Sequence, residues 1–404
     1  MTFKYLALVS ALTAVTFGLS ACSGGDKKDA TNTNTSTTTP SSSNVIKIAS
    51  VSPLSGGTAN SGKDNQSGAL LAVEEINAKG GVDVAGKKYM LELVSEDDAA
   101  DPKQGTTVAQ KIADDKSISG VVGHYNSGVT MAAQPIYAGA NLVAITPSAT
   151  NPDVTVKAAK GSDGLTMMYR MVAHDGMQGP ALALYAQKKG LKKIAIVDDA
   201  TTYGKGMADQ VEKKSKELGI NVLSHESATD KTTDFKAILT KIKASGADAI
   251  MWGGLDDTAA TFAKQARELG ISATLLMPDA VCTDNYITLA GSAANGTICS
   301  VTGVPLEEMK EGAAFKERFE KRFSGQKVQG FAPFAYDAVF TLVEAIKKAG
   351  STEPAKVAAA MKGINVTGLS GPIAFDDATG ERKDTAITIQ EEKDKKWVIV
   401  DKIK

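Results

Sequence analysis

The sequence of 404 residues predicts an α/β protein built as two doubly wound parallel-sheet lobes. Short runs rich in Val, Ile and Leu alternate with stretches of helical period, and that alternation runs through the chain twice. A composition that is 43% apolar and 23% charged over this length supports a core large enough for two domains.

In the first series VIKIASV, YMLELVSE, ISGVVGHY and LVAITP read as strands. Between the first two, NQSGALLAVEEINAKGG places Leu70, Val73 and Ile76 near one helix face and stops on Gly80 and Gly81. The second series is KKIAIVDD, INVLSHES, ADAIMWGG and ATLLMPDA. Its helices carry apolar stripes: Phe235, Ile238, Leu239 and Ile242 before Gly246, then Phe262, Ala266 and Leu269. These stripes are core positions. The tail adds helices around FKERFEKRF and AYDAVFTLVEAIKKAG, then a hairpin in TAITIQEEKDKKWVIV.

The N-terminus is an address ahead of the fold. After Lys4, the apolar stretch Tyr5 to Leu19 is too short for a membrane span and has the length of a signal-peptide core. Leu19-Ser20-Ala21-Cys22 resembles the bacterial lipoprotein processing box, which implies that residues 1–21 are removed and that Cys22 carries a lipid. Residues 23 to 44 have no large apolar side chain, so nothing offsets the entropy of ordering them, and 22–44 reads as a disordered lipidated tether. The expected location is the cell envelope, in the periplasm or on the outer face of the cell membrane.

A formal net charge of -1 gives no field for a nucleic-acid groove or an anionic membrane surface, and nucleic acid is excluded as a partner. With three histidines, His124, His174 and His225, metal clusters and Ser-His-Asp arrangements have few candidates, and neither a phosphate loop nor G-x-S-x-G occurs. His124, at a strand end, reads as a hydrogen-bonded core or rim residue before it reads as a base. No metal, no cofactor and no enzymatic activity are expected. Besides Cys22 there are two cysteines, Cys282 and Cys299, which an exported compartment allows to pair; two buried free thiols are the alternative.

Several stretches together are similar to the periplasmic branched-chain amino-acid binding proteins of ABC transporters, the leucine/isoleucine/valine-binding family. They are PLSG at 53–56, INAKGG at 76–81, DDAADPKQ at 97–104, GHYNSG at 123–128, TPSATNP at 146–152, QGP at 178–180, DDATTYGKG at 198–206 and AYDAV at 335–339. The resemblance implies a type I periplasmic binding protein: two hinged lobes joined by three crossovers, near 170–175, 302–305 and 378–384. The first lobe is then 45–172 with 303–380, and the second 173–302 with 381–404. Implied partners are an amino acid, branched-chain or similar, and a membrane permease; a signalling protein in place of the permease, or an amide or small carboxylate as ligand, is the alternative. A monomer is expected.

In open α/β sheets ligands bind beyond the carboxyl ends of strands, and AITPSATNP is such an end. Ser148, Ala149 and Thr150 could there present a carbonyl, an N–H and a hydroxyl. Ser127, opening the segment after GHYN, has the unpaired N–H groups and hydroxyl that suit a carboxylate. These hydroxyls could instead cap their own turns. The resemblance supports Ser127 and Thr150 for the amino-acid head group, Asp279 for the α-ammonium and Tyr203 facing the cleft. Ser61 and Leu255 stand where the family places aromatic cover, which implies a roomy side-chain pocket.

Cys22→Ser is expected to leave the protein unprocessed or released, because the tether has no apolar surface of its own to hold a membrane. Mass spectrometry of the mature N-terminus decides this, and an unmodified Cys22 in the native host would remove the anchor.

Overall fold

The structure is a computed structural model describing residues 44–383 and 385–403. The signal segment, Cys22 and all of the tether except Asn44 lie outside the described residues.

Two large sheets organise the chain. The first has the order β2-β3-β1-β4-β5-β6, from β1 (Val45–Ser52), β2 (Val82–Val84), β3 (Lys87–Asp97), β4 (Ile118–Gly123), β5 (Ala144–Thr146) and β6 (Met168–Arg170). All neighbours run parallel except β2, which hairpins against β3. The second takes β7 (Lys193–Asp198), β8 (Asn221–Ser227), β9 (Ala249–Gly253), β10 (Thr274–Met277) and β11 (Ile298–Thr302). A short pair, β12 (Asn365–Gly368) and β13 (Gly371–Ala374), stands apart, and β14 (Ile387–Lys393) and β15 (Lys396–Ile403) extend the second sheet to the order β15-β14-β11-β10-β9-β7-β8.

Helices cover both sheets. Around the first lie α1 (Ala59–Ala78), α2 (Pro102–Asp114), α3 (Ser127–Gly139) and the single-turn α4 (Asp153–Val156). Around the second lie α5 (Asp175–Lys188), α6 (Thr202–Glu217), α7 (Lys236–Ser245), α8 (Asp256–Glu268) and α9 (Asp284–Ala290). Then α10 (Gly312–Arg322), α11 (Ala332–Ala349) and α12 (Pro354–Met361) return to the first. Strands with helices on both faces must be apolar on both faces, which is why ISGVVG and AIMWG are buried at every position. The chain passes between the sheets three times: after Arg170, after Thr302, and between Phe375 and Ile387.

The second core centres on Trp252, whose ring lies 5.3 Å from that of Phe235 and 4.9 Å from that of Phe262. The stripe read on α7 and α8 supplies both phenylalanines. On α1 the core face is set differently from the expectation. Val73 and Ile76 are buried, but Leu71 takes the inner place and Leu70 is half-buried. This helix is held between the sheet and α11, so its buried arc is wider than a single stripe. The C-terminal hairpin forms, with Asp394 and Lys395 at φ 53° and 64° making the tight turn that matches strand twist.

Cys282 and Cys299 are joined by a disulfide that ties the turn after β10 to the neighbouring strand β11 across 17 positions of sequence. In the chain-entropy account a loop of this size restricts the unfolded ensemble by about 3 kcal/mol. Replacing both cysteines by alanine should therefore lower the urea unfolding free energy by up to about 3 kcal/mol. An unchanged value would show that the bridge adds nothing to stability.

Candidate ligand-binding site

The carboxyl ends of β4, β5, β9 and β10 lead into one cleft between the two lobes, with about 240 Å³ of empty space. The lobes touch across it: Asn151 Nδ2 in the loop after β5 donates to the Thr202 carbonyl of α6 at 2.9 Å. The conformation is closed.

On the first-lobe wall Ser127 opens α3, where the first-turn N–H groups have no partner within the helix and the helix dipole favours an anion. Its Oγ accepts from the Asn151 amide at 3.2 Å, so the hydroxyl proton remains free to donate. Ser148 lines the cleft, and its Oγ meets Asn65 Nδ2 at 3.1 Å and the Tyr125 carbonyl at 3.2 Å. Ala149 differs from the sequence expectation. Its N–H donates to Thr146 Oγ1 at 2.9 Å and its carbonyl accepts from Arg170 at 2.9 Å, so neither backbone group faces the cleft. Thr150 is fully buried beside Asp175, yet Thr150 Oγ1 and Asp175 Oδ2 complete no hydrogen bond of normal geometry.

The second-lobe wall carries the negative charge. Asp279 follows β10, and its Oδ1 accepts from Tyr203 Oη at 2.6 Å and from Gln178 Nε2 at 3.1 Å. Tyr203 is seated at the start of α6 because two backbones come very close there. A Cβ on Gly204 would lie 2.4 Å from the Gly253 carbonyl, so only glycine lets α6 approach the end of β9. Gln178 reaches back to Asp175 Oδ1 at 3.2 Å and accepts from Ser300 at 2.8 Å, joining the two carboxylates through one amide. Burial pushes the Asp279 carboxyl up to about 6, against the stabilising bonds from Tyr203 and Gln178. Burial, and then the charge of Asp279, push Asp175 up to about 8.

Apart from Leu255, the apolar wall comes from residues that the sequence reading did not single out. Tyr125 and Phe331 line the cleft with ring centroids 5.7 Å apart, edge to face, and Leu255 lies beside them. Ser61 is buried on α1 near the Tyr125 phenol, behind the residues that line the cleft, so it leaves no gap in the wall. Phe331 is fixed by Asp64, a fully buried carboxylate that accepts the amides of Gln329, Phe331 and Ala332 at 2.8, 3.0 and 2.8 Å and caps α11. The roomy pocket expected from Ser61 and Leu255 is thus replaced by one walled by two rings. Tyr125, within GHYNSG, could have been noticed as an aromatic just past a strand end. Gln178 opens the QGP stretch that the sequence reading quoted without a role, and Asp175, three residues earlier, carries no local mark of its own.

His174 immediately precedes Asp175 at the start of α5, near Arg170 and Glu381, whereas His124 and His225 lie away from the cleft. His124 is fully buried, with Nδ1 2.7 Å from Asp98 Oδ2 and Nε2 2.9 Å from Tyr137 Oη. His225, for which the sequence shows no partner, has its ring nitrogens 2.6 Å from Glu212 and 2.9 Å from Asp198. Asp209, Glu212 and His225 could converge on a cation, but Lys205 and Lys216 already pair the two carboxylates.

A closed cleft with an anion-seeking helix terminus on one lobe and a buried carboxylate on the other defines a two-lobed solute receptor. The chain belongs to the periplasmic binding protein family, which it matches over residues 45–396, and within that family to the substrate-binding proteins of branched-chain amino-acid ABC transporters. It is 34% identical over 349 residues, 86% of this chain and 90% of the relative, to the leucine-, isoleucine-, valine-, threonine- and alanine-binding protein of Pseudomonas aeruginosa. The branched-chain amino-acid substrate-binding protein LivJ of Streptococcus pneumoniae, solved with isoleucine, is 27% identical with a TM-score of 0.78, over 88% of this chain and 99% of that one. A solute-binding protein of Rhodopseudomonas palustris, solved with 4-hydroxybenzoate, shares the fold at 23% identity and a TM-score of 0.77, over 89% of this chain and 97% of that one. All three are substrate- or solute-binding proteins.

Asp175 and Asp279 hold protons more tightly folded than unfolded, so the native state binds more protons and stability falls as pH rises from about 4 through the folded values. In the ligand-free protein, Asp175→Asn should therefore melt higher than the parent at pH 8.5, with the gap closing towards pH 4. A gap of the same size at both pH values would show that Asp175 does not titrate in this window.

Proposed function

We propose that this chain is a lipid-anchored extracytoplasmic receptor that closes on an amino acid and delivers it to an ABC-transporter permease, without chemistry on the ligand. The carrying observation is the opposition of charge preferences across one cleft: the α3 N-terminus with Ser127 on the first lobe, Asp279 with Tyr203 on the second. A zwitterion satisfies both at once. Its carboxylate meets the helix terminus and its ammonium meets Asp279, with Asp175 and Thr150 buried behind that wall, while Tyr125, Phe331 and Leu255 enclose the side chain. Since each head-group half sits on a different lobe, such a ligand favours the closed state by its differential affinity for it.

Rings in the cleft wall also suit a planar aromatic acid, the ligand of the Rhodopseudomonas palustris protein. Such a ligand has no ammonium, and Asp279 would be left buried and unmatched. The acidic wall favours the amino acid.

Thermal shift of the mature protein against L-leucine, L-isoleucine, L-valine, L-phenylalanine and benzoate tests this. Ligand at 100 times its dissociation constant adds about 2.7 kcal/mol of stability. Asp279→Ala should weaken amino-acid binding by about 3 to 5 kcal/mol, more than a hundredfold, as expected for breaking a buried charge pair. Near-unchanged amino-acid affinity in Asp279→Ala, or benzoate binding that strengthens in it where no amino acid binds the parent, would overturn the amino-acid reading.

A further inference from the structure

We infer that Arg170, with Glu381, is a positioning clamp: from the hinge it fixes the loop that presents Thr150, and so sets ligand affinity without touching the ligand. The inference rests on the amino-acid reading for its effect on affinity and on geometry alone for the clamp itself.

Arg170 ends β6, at the first crossover, and is completely buried. All five of its side-chain N–H donors have acceptors. Nη1 donates to the carbonyls of Ala149 at 2.9 Å and Asn151 at 2.7 Å, the two residues flanking Thr150. Nη2 donates to Thr155 Oγ1 at 2.7 Å and to Glu381 Oε1, and Nε donates to Glu381 Oε2 at 3.1 Å. The carbonyl of Thr150 itself accepts the Asp175 amide at 2.9 Å. Three consecutive carbonyls of the loop are thus held by residues of the first crossover, which fixes the backbone that carries the Thr150 side chain.

Glu381 lies in the third crossover, which presses against β6. The Arg170 amide donates to the Gly380 carbonyl at 3.1 Å, and Gly380 has φ +79°, with a Cβ there falling 2.0 Å from the Met168 carbonyl. Glu381 also takes the Thr155 hydroxyl, the same group that Arg170 donates to. Two of the three interlobe segments therefore meet at one guanidinium, and that guanidinium holds the loop below the cleft. A lysine keeps the charge but has three donors on a single nitrogen, which cannot serve two carbonyls, a hydroxyl and both carboxylate oxygens.

Arg170→Lys, Glu381→Gln, Thr150→Val and the Arg170→Lys/Thr150→Val double variant test the clamp, with hydrogen–deuterium exchange and L-leucine calorimetry as readouts. Residues 147–156 should exchange faster in Arg170→Lys and Glu381→Gln while β7 to β10 exchange as before. L-leucine affinity should fall by about tenfold in each, and Thr150→Val should cost much less in the Arg170→Lys background than alone, because a misplaced hydroxyl has little left to lose. Unchanged exchange over 147–156 would overturn the clamp whatever the ligand. Additive affinity losses in the cycle would reduce Arg170 to a purely structural residue. If the parent protein binds no L-leucine or other amino acid, the functional reading fails, and the exchange result still decides whether the clamp exists.

Discussion

Two carboxylates buried close together, Asp175 and Asp279, are the constraint around which the rest of the cleft is arranged. Neither can be fully charged without a partner, and the protein supplies hydrogen bonds in place of a counter-charge: Tyr203 and Gln178 to Asp279, Gln178 alone to Asp175. Tyr125, Phe331 and Leu255 line the cleft beside Asp279, so its surroundings are largely apolar and a charge there is costly. Both lobes are drawn in, because Asp279 follows a strand of the second sheet while Asp175 is tied through its amide to the Thr150 carbonyl of the first.

Support for that arrangement comes from positions that never reach the cleft. Asp64 gathers backbone amides at the start of α11 and thereby aims Phe331. Gly204 and Gly253 let α6 approach β9 and so place the Tyr203 phenol. His124, buried between Asp98 and Tyr137, stiffens the end of β4 from which Tyr125 and Ser127 follow. In each case a polar or small residue spends its chemistry on backbone geometry, and an adjacent residue inherits the useful orientation.

Much of this architecture was legible from sequence because it follows local rules. Val- and Ile-rich runs marked the central strands, helical stripes found Phe235 and Phe262, and TAITIQEEKDKKWVIV read as the last hairpin. Short elements such as β6 and β12 carry too few residues for a period to show. The head-group loops were visible as strand ends, but which of their atoms are free was not: Ala149 has both backbone groups taken by Thr146 and Arg170, and nothing in SAT announces that. The side-chain wall was misread for a related reason. Position-by-position counting looked for rings at Ser61 and Leu255, while the fold brings Tyr125 and Phe331 together from distant parts of the chain. Contacts of long sequence separation have no local signature.

Strand β11 stands at the edge of the parallel part of the second sheet until β14 pairs with it, and β14 and β15 are the last strands of the chain. Between them and β11 the polypeptide has gone back to the first lobe to build α10, α11 and α12. A chain of this order, read from its N-terminus, keeps one flank of its second lobe unpaired until its closing segment arrives. Until β14 pairs with β11, that strand presents a row of unpaired N–H and C=O groups, so the second sheet is completed only when the segment that follows the first-lobe helices folds back onto it.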